Sequence, residues 1–180
     1  MTRIVAGKYG SRKLRVPRTA TRPTSERVRE AVFSHLESEN QVLGARVADI
    51  FAGSGALGIE ALSRGAQTSV FVDSNAGAIK VLRENLRVLG ATGKVVNQDA
   101  LRFAQSNSLE FDLIFVDPPY ALNQDFVRSV LEKLAPYLSQ QGTLVLEQSR
   151  NHKLADFPPD LTVVGEKTYG DTTVIYLCRS

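Results

Sequence analysis

Phe111-Asp-Leu-Ile-Phe-Val-Asp-Pro-Pro-Tyr120 is the stretch that decides the fold. Its apolar run is typical of a fully buried strand. The two prolines that follow Asp117 have no N–H and a fixed φ, so the backbone there is stiff and cannot pair in a sheet. We therefore predict a strand whose carboxyl end presents a carboxylate, carbonyl groups and an aromatic ring. Ligands of open α/β sheets bind at this edge.

The residue types at this strand end suit a planar amine. Asp117 can supply a carboxylate oxygen and Pro118 a carbonyl oxygen, which together accept the two N–H groups of a nucleobase amine. Tyr120 can stack on the base, worth roughly 1–3 kcal/mol. We predict Asp117, Pro118, Pro119 and Tyr120 as catalytic residues. The alternative is a strand that ends in a Pro-Pro turn without a chemical role.

From Arg46 onward, short apolar runs alternate with helical patterns. This alternation predicts an α/β fold with a seven-stranded, mostly parallel sheet, helices on both faces and an antiparallel C-terminal strand. A small β-hairpin is predicted in residues 3–16, and a helix capped by Thr24 or Ser25 should follow it. The predicted strands are 4–6 and 13–16 in the hairpin, then 47–51, 68–73, 94–97, 111–117, 142–147, 161–167 and 172–178, and a helix is predicted over 123–138.

Composition excludes several classes of protein. The 180 residues are 43% hydrophobic, which is enough for one buried core, and no apolar run reaches 18 residues. The N-terminus lacks the apolar stretch of a signal peptide, and a single cysteine, Cys178, favours a reducing compartment. We therefore predict a cytoplasmic protein without a membrane segment. His35 and His152 stand apart, so we predict no metal site.

A glycine-rich turn follows the predicted strand 47–51. Asp49-Ile-Phe-Ala-Gly-Ser-Gly-Ala-Leu-Gly58 contains the spacing G-x-G-x-x-G, which can bind a dinucleotide. Acids end three successive strands, however, and acids at this spacing suit the cationic methionine part, the ribose and the adenine of S-adenosylmethionine. The predicted cofactor residues are Asp49, Phe51, Ala52, Gly53, Ser54, Gly55, Asp73, Ser74, Asp99, Ala100 and Asp117.

Basic side chains are concentrated at the start of the chain. Residues 1–29 contain nine Lys or Arg residues and one acid, Glu26, whereas the remainder contains 13 basic and 18 acidic residues. A basic arm on a mildly acidic body is typical of a contact with a polyanion. The alternative is a solvated charged surface.

Four stretches together resemble one bacterial family, the small-subunit ribosomal RNA guanine-N2 methyltransferases of the RsmD type. They are Arg3–Gly7, Arg22–Glu30 with its Arg-Pro-Thr and Arg-Val-Arg-Glu motifs, Asp49–Arg64, and Phe115–Tyr120. The glycine loop and the Asp-Pro-Pro-Tyr tetrad resemble those of many Rossmann-like class I methyltransferases. The N-terminal motifs are the part specific to this family.

The resemblance implies methyl transfer from S-adenosylmethionine to a guanine N2 amine in 16S rRNA, within a small ribosomal subunit or its assembly intermediate. We expect a monomer, with a basic hairpin and loop at 1–23 and a methyltransferase domain at 24–180. The predicted RNA-binding residues are Lys8, Arg12, Lys13, Arg15, Arg18, Arg22, Thr24 and Arg27. Other interpretations are an adenine-N6 methyltransferase, a nicotinamide-dependent oxidoreductase and a non-catalytic RNA-binding module.

Overall fold

A computed structural model describes residues 1–17 and 25–180. Predictions for Arg18, Arg22 and Thr24, and for the boundary between 1–23 and 24–180, lie outside the described residues. Within the described ranges, the strands are β1 Thr2–Arg3, β2 Lys13–Leu14, β3 Arg46–Ile50, β4 Thr68–Asp73, β5 Lys94–Asn97, β6 Phe111–Val116, β7 Leu138–Ser149, β8 Leu161–Tyr169 and β9 Thr172–Arg179. The helices are α1 Glu26–Ser38, α2 Ala56–Ser63, α3 Ala76–Leu89, α4 Ala100–Ser106 and α5 Gln124–Leu134.

The main sheet of the described chain has seven strands in the order β5-β4-β3-β6-β7-β9-β8. The pairs from β5 to β7 are parallel, whereas β9 runs antiparallel to both of its neighbours. The predicted mostly parallel sheet with an antiparallel C-terminal strand is confirmed. Because β3 and β6 are adjacent, the Asp-Pro-Pro-Tyr tetrad lies next to the glycine-rich turn, at the carboxyl edge of the parallel strands.

Two apolar layers cover the two faces of the sheet. One contains Val127, Val130, Leu131 and Leu134 of α5, packed on β6, and the other contains the buried side of α1. Helix α5 ends at Leu134, four residues before the predicted end, because Pro136 lies in a 3₁₀ turn over Ala135–Tyr137. Strand β7 is correspondingly longer than predicted and begins at Leu138.

The N-terminal hairpin forms, but its first strand is Thr2–Arg3 and not the predicted 4–6. The chain leaves the hairpin after Ile4 because the N–H groups of Val5 and Ala6 donate to the Glu60 carboxylate of α2. Ile4 and Leu14 are almost fully buried in a third apolar cluster with residues of α2, α3 and β4. The hairpin is therefore packed on the main sheet's helical layer.

Helix α1 begins after Ser25, whose Oγ accepts a hydrogen bond from the N–H of Val28 at 3.2 Å. Val28, Val32 and Leu36, at helical spacing, are buried. Arg29, one of the nine basic residues in the first 29, is fully buried as well. No helix in residues 1–17 and 25–180 combines the length and apolar character needed to cross a bilayer.

Candidate functional site

The glycine-rich turn after β3 has an unusual backbone. Phe51, Gly53 and Gly55 all have positive φ values, of 65°, 54° and 80°. A Cβ on Gly55 would lie 2.3 Å from Leu82, and one on Gly58 would lie 2.4 Å from the ring of Phe71. The glycines therefore allow α2 to begin in close contact with α3 and β4.

Asp49 lies beneath this turn and is 1% exposed. Its Oδ2 accepts a hydrogen bond from the N–H of Gly58 at 2.9 Å. Burial raises the pKa of Asp49 well above its usual value, and the negative charges of Asp117 and Asp73 raise it further. Asp117 and Asp73 each therefore lie close enough to Asp49 to act on its charge.

Asp73, at the end of β4, is hydrogen-bonded to the loops on both sides. Its carboxylate accepts from the N–H of Gly53 and from the N–H of Asn75, both at 2.8 Å. Its backbone carbonyl accepts from the side-chain amide of Asn97 at 3.0 Å. Ser74 beside it is exposed. Asp73 thus fixes the glycine-rich turn against the end of β4.

Asp99 follows β5 and is the N-cap of α4. One of its oxygens, Oδ1, accepts from the N–H groups of Leu101 at 3.0 Å and Arg102 at 3.1 Å. The residue is exposed at the same edge of the sheet as Asp73, and Ala100 is buried behind it. Ala52 and Ser54 of the turn are also buried. The predicted cofactor residues therefore lie at or beneath the carboxyl ends of four adjacent strands, β5, β4, β3 and β6.

The Asp-Pro-Pro-Tyr tetrad follows β6 directly. The N–H of Asp117 donates to the carbonyl of Ile50 on β3 at 3.4 Å, so it is the last residue to pair with the neighbouring strand. Pro118 is buried and Pro119 is exposed. The carbonyl of Pro119 accepts from the N–H of Leu122 at 2.9 Å, which closes the turn.

Tyr120 is held by two polar residues that the sequence did not indicate. Its hydroxyl donates to Oε1 of Glu147 on β7 at 3.4 Å and lies 3.1 Å from Oγ1 of Thr172 on β9. Both partners are buried. Glu147 directly follows the apolar run Leu144–Leu146, and a charged residue at that position was the signal available for it.

The predicted RNA-binding residues within the described ranges are all exposed; they are Lys8, Arg12, Lys13, Arg15 and Arg27. Two other basic residues of the arm have internal partners instead. Arg3 pairs with Glu26 at 3.0 Å, and Arg29 lies 3.3 Å from Glu60 with neither side chain exposed. The charge that the arm offers to a polyanion is therefore smaller than the sequence count.

Glu60 anchors the arm to α2, the helix that follows the glycine-rich turn. In addition to its ion pair with Arg29, its carboxylate accepts hydrogen bonds from the N–H of Val5 at 2.8 Å, from the N–H of Ala6 at 3.0 Å and from Nε of Arg64 at 2.8 Å. Burial lowers the pKa of Arg29, and the charge of Glu60 opposes this effect. The buried ion pair therefore joins α1, α2 and the arm.

Asn85 on α3 provides a second link between arm and turn. Its side-chain amide exchanges two hydrogen bonds with the backbone of Arg15, and it also donates to the carbonyl of Ser54, all at 2.9 Å. One buried side chain thus connects the end of the basic hairpin to the predicted cofactor loop.

The sheet order, with the reversed strand β9 and a glycine-rich turn after β3, is that of the Rossmann-like methyltransferases. The chain belongs to the family described as conserved hypothetical protein 95, which matches residues 2–178. It is 37% identical over 180 residues to the "Putative rRNA methyltransferase YlbH" of Bacillus subtilis, covering 96% of each chain. It is 35% identical over 176 residues to the "Ribosomal RNA small subunit methyltransferase D" of Escherichia coli K12, covering 93% of this chain and 85% of that one.

The fold agrees closely with a solved structure of the same kind. The "Putative methyltransferase yhhF" of Escherichia coli superposes with a TM-score of 0.87 at 31% identity, covering 99% of this chain and 97% of that one. The predicted family and fold class are thereby confirmed.

Proposed function

We propose that the protein transfers a methyl group from S-adenosylmethionine to the exocyclic N2 amine of a guanine in 16S rRNA. The name of its Escherichia coli K12 relative, a small-subunit ribosomal RNA methyltransferase, supports the substrate. We infer that it acts as a monomer on a small ribosomal subunit or its assembly intermediate.

One observation carries the choice of cofactor. In a dinucleotide site, the N–H groups of the glycine-rich turn point at the pyrophosphate. Here the N–H of Gly53 donates to Asp73 and the N–H of Gly58 donates to Asp49. With these donors engaged by acids and Asp117 nearby, the edge repels a pyrophosphate and attracts a sulfonium and an ammonium group. This argues for S-adenosylmethionine over a nicotinamide cofactor.

The strand-end acids then divide the cofactor between them. Asp73 accepts from the ribose hydroxyls and Asp99 from the adenine amine. Asp49 lies too deep for direct contact with most ligands, so it acts on the methionine ammonium through the turn that it supports. The backbone of Phe51, Ala52, Gly53, Ser54 and Gly55 lies along the methionine part, with Ser74 and Ala100 beside the ribose and the base.

Asp117 and Pro118 orient the acceptor. The guanine amine is a weak nucleophile because its lone pair is conjugated with the ring. The Asp117 carboxylate and the Pro118 carbonyl accept its two N–H groups, which turns the lone pair toward the methyl carbon. The N–CH₃ bond forms as the S–CH₃ bond breaks, S-adenosylhomocysteine leaves, and Asp117 or water takes the proton from nitrogen. Positioning of two bound reactants can lower a barrier by roughly 7–11 kcal/mol, so no covalent enzyme intermediate is required.

Tyr120 and the arm bind the RNA. The guanine must leave its helix or lie in a loop to reach the edge of the sheet. The Tyr120 ring stacks on it, with its orientation set by the hydroxyl's contacts to Glu147 and Thr172. The exposed arm residues contact flanking phosphates, which position the RNA without reading its sequence.

Transfer of labelled methyl to 16S rRNA fragments tests the proposal, with the modified base mapped afterwards. We expect one N2-methylguanine. Asp117→Ala should retain S-adenosylhomocysteine affinity and lose most of the transfer activity. Asp160→Ala, which removes an exposed carboxylate before β8, is the matched control and should remain active. Binding of NADH in place of S-adenosylhomocysteine, or a methyl on adenine N6, contradicts the proposal.

A further inference from the structure

Helix α3 carries a row of basic residues that the proposed reaction does not use. Lys80, Arg83 and Arg87 stand at spacings of three and four residues and are all exposed. Side chains at these spacings share one face of a helix, with neighbouring Cβ atoms about 5–6 Å apart. Together with Ala76 and Asn97 they line a hollow of about 290 Å³ at the outer surface of α3 and the end of β5.

The one acid on this face is already neutralised. Glu84 pairs with Arg87 at 2.7 Å. That hydrogen-bonded contact lowers the pKa of Glu84, and the charge of Arg15 lowers it further. Among the described residues, Arg87–Glu84 is the ion pair found on this face. Lys80 and Arg83 therefore add positive charge to the surface. The chain beyond residue 29 has more acidic than basic residues, whereas this face of α3 has more basic than acidic residues.

The basic face is continuous with the arm. Asn85, between Glu84 and Arg87, exchanges two hydrogen bonds with the backbone of Arg15, so the end of the hairpin lies directly against α3. The exposed Arg15 is close enough for its charge to act on Glu84. In the other direction, α3 begins at Ala76, immediately after the Asp73–Asn75 loop of the site. The face therefore runs from the arm toward the cofactor edge.

We propose that Lys80 and Arg83, with Arg15 beside them, form a second phosphate-binding surface that takes the RNA backbone adjacent to the methylated nucleotide. This inference rests on the proposed function, since RNA is the polyanion that function supplies. Two added phosphate contacts on α3 fix the direction in which the RNA strand leaves the site. The arm alone contacts the RNA only at one end. The alternative is that these side chains form a solvated charged surface that does not contact RNA, and the experiment distinguishes the two.

The test compares two double variants in binding to the 16S rRNA fragment that the wild-type protein binds most tightly, and methylation of that fragment by the wild-type protein is measured separately. Lys80→Ala/Arg83→Ala removes the two α3 charges. Lys133→Ala/Arg179→Ala removes two exposed charges from α5 and β9, and β9 is separated from β5 by four strands of the sheet. Affinity is measured from about 50 to 200 mM salt, where each lost contact to single-stranded RNA lowers the slope by about 0.7.

We expect the α3 variant to lose about 1.4 from the slope of log affinity against log salt, with S-adenosylhomocysteine affinity unchanged, and the control to keep the wild-type slope. An unchanged slope in the α3 variant, or an equal loss in the control, overturns the α3 surface. If the wild-type protein binds the fragment without methylating it, the proposed function fails while a reduced slope still supports the α3 surface. If the wild-type protein does not bind RNA, both proposals fail.

Discussion

Replacing Glu60 with Gln tests whether the arm is anchored by a buried ion pair. Glu60 is fully buried, lies 3.3 Å from Arg29 as an ion pair, and its carboxylate accepts from Arg64 and two backbone N–H groups of the arm. Gln keeps the shape of the side chain but has one acceptor oxygen and an amide group that faces other donors. Arg29 then remains buried without the charge of its ion-pair partner.

The expected cost follows from the burial of both partners. Removing one member of a buried ion pair costs about 3–5 kcal/mol, mostly because the other charge stays buried. For a chain of this size, one kcal/mol corresponds to about 2–4 °C in melting temperature. We therefore expect Glu60→Gln to lower the melting temperature by about 6–20 °C. Arg64 also has a contact to Glu37, which keeps its own charge paired.

Denaturant unfolding of Glu60→Gln, Arg29→Met and the double variant measures the coupling directly. The double variant removes both charges, so it should be more stable than the sum of the single losses predicts, by at least about 2 kcal/mol. Glu37→Gln, which affects a partly exposed contact of the same network, is the control and should cost less than about 1 kcal/mol. A loss under about 1 kcal/mol in Glu60→Gln, or purely additive losses, would refute the buried-pair argument.

Three further changes test other parts of the site. The folded-state pKa of Asp49 is raised, so its contribution to stability is greatest below its unfolded pKa and falls as pH rises through the folded value. In the Asp49→Asn variant, the free energy of unfolding should depend less on pH in that window. Gly58→Ala should cost about 1–3 kcal/mol in denaturant unfolding, because its Cβ would overlap the Phe71 ring. In RNA binding assays, Tyr120→Phe should retain stacking, whereas Tyr120→Ala should lose about 1–3 kcal/mol of affinity; equal affinities would exclude stacking.

Much of the fold was predictable because its signals are local. The strands 68–73 and 94–97 were predicted with the bounds that the structure gives, since apolar runs with polar ends mark both of them. Ser25, one of two predicted caps, is the N-cap of α1. The end of α5 was predicted too far along, although Pro136 carried the information that the helix stops early.

The anchoring of the arm was not predictable from local patterns. Arg29 looks like one more charge in a basic segment, and its partner Glu60 is 31 residues away in a helix with mostly small and apolar residues. An acid in such a helix is a weak signal of burial, but it does not identify the partner. The assignments of cofactor and RNA residues remain predictions, because they depend on ligands and not on the fold alone.

The reversed direction of β9 has a consequence at the site. In an antiparallel strand the first residues lie at the edge where the parallel strands end, and Thr172 accordingly pairs in register with Ser149, the last residue of β7. A parallel β9 would place Thr172 at the opposite edge of the sheet. The reversal therefore brings its hydroxyl to within 3.1 Å of Tyr120, beside Glu147. The same topological feature that distinguishes this sheet from an all-parallel one thus holds the hydroxyl of Tyr120, the last residue of the Asp-Pro-Pro-Tyr tetrad.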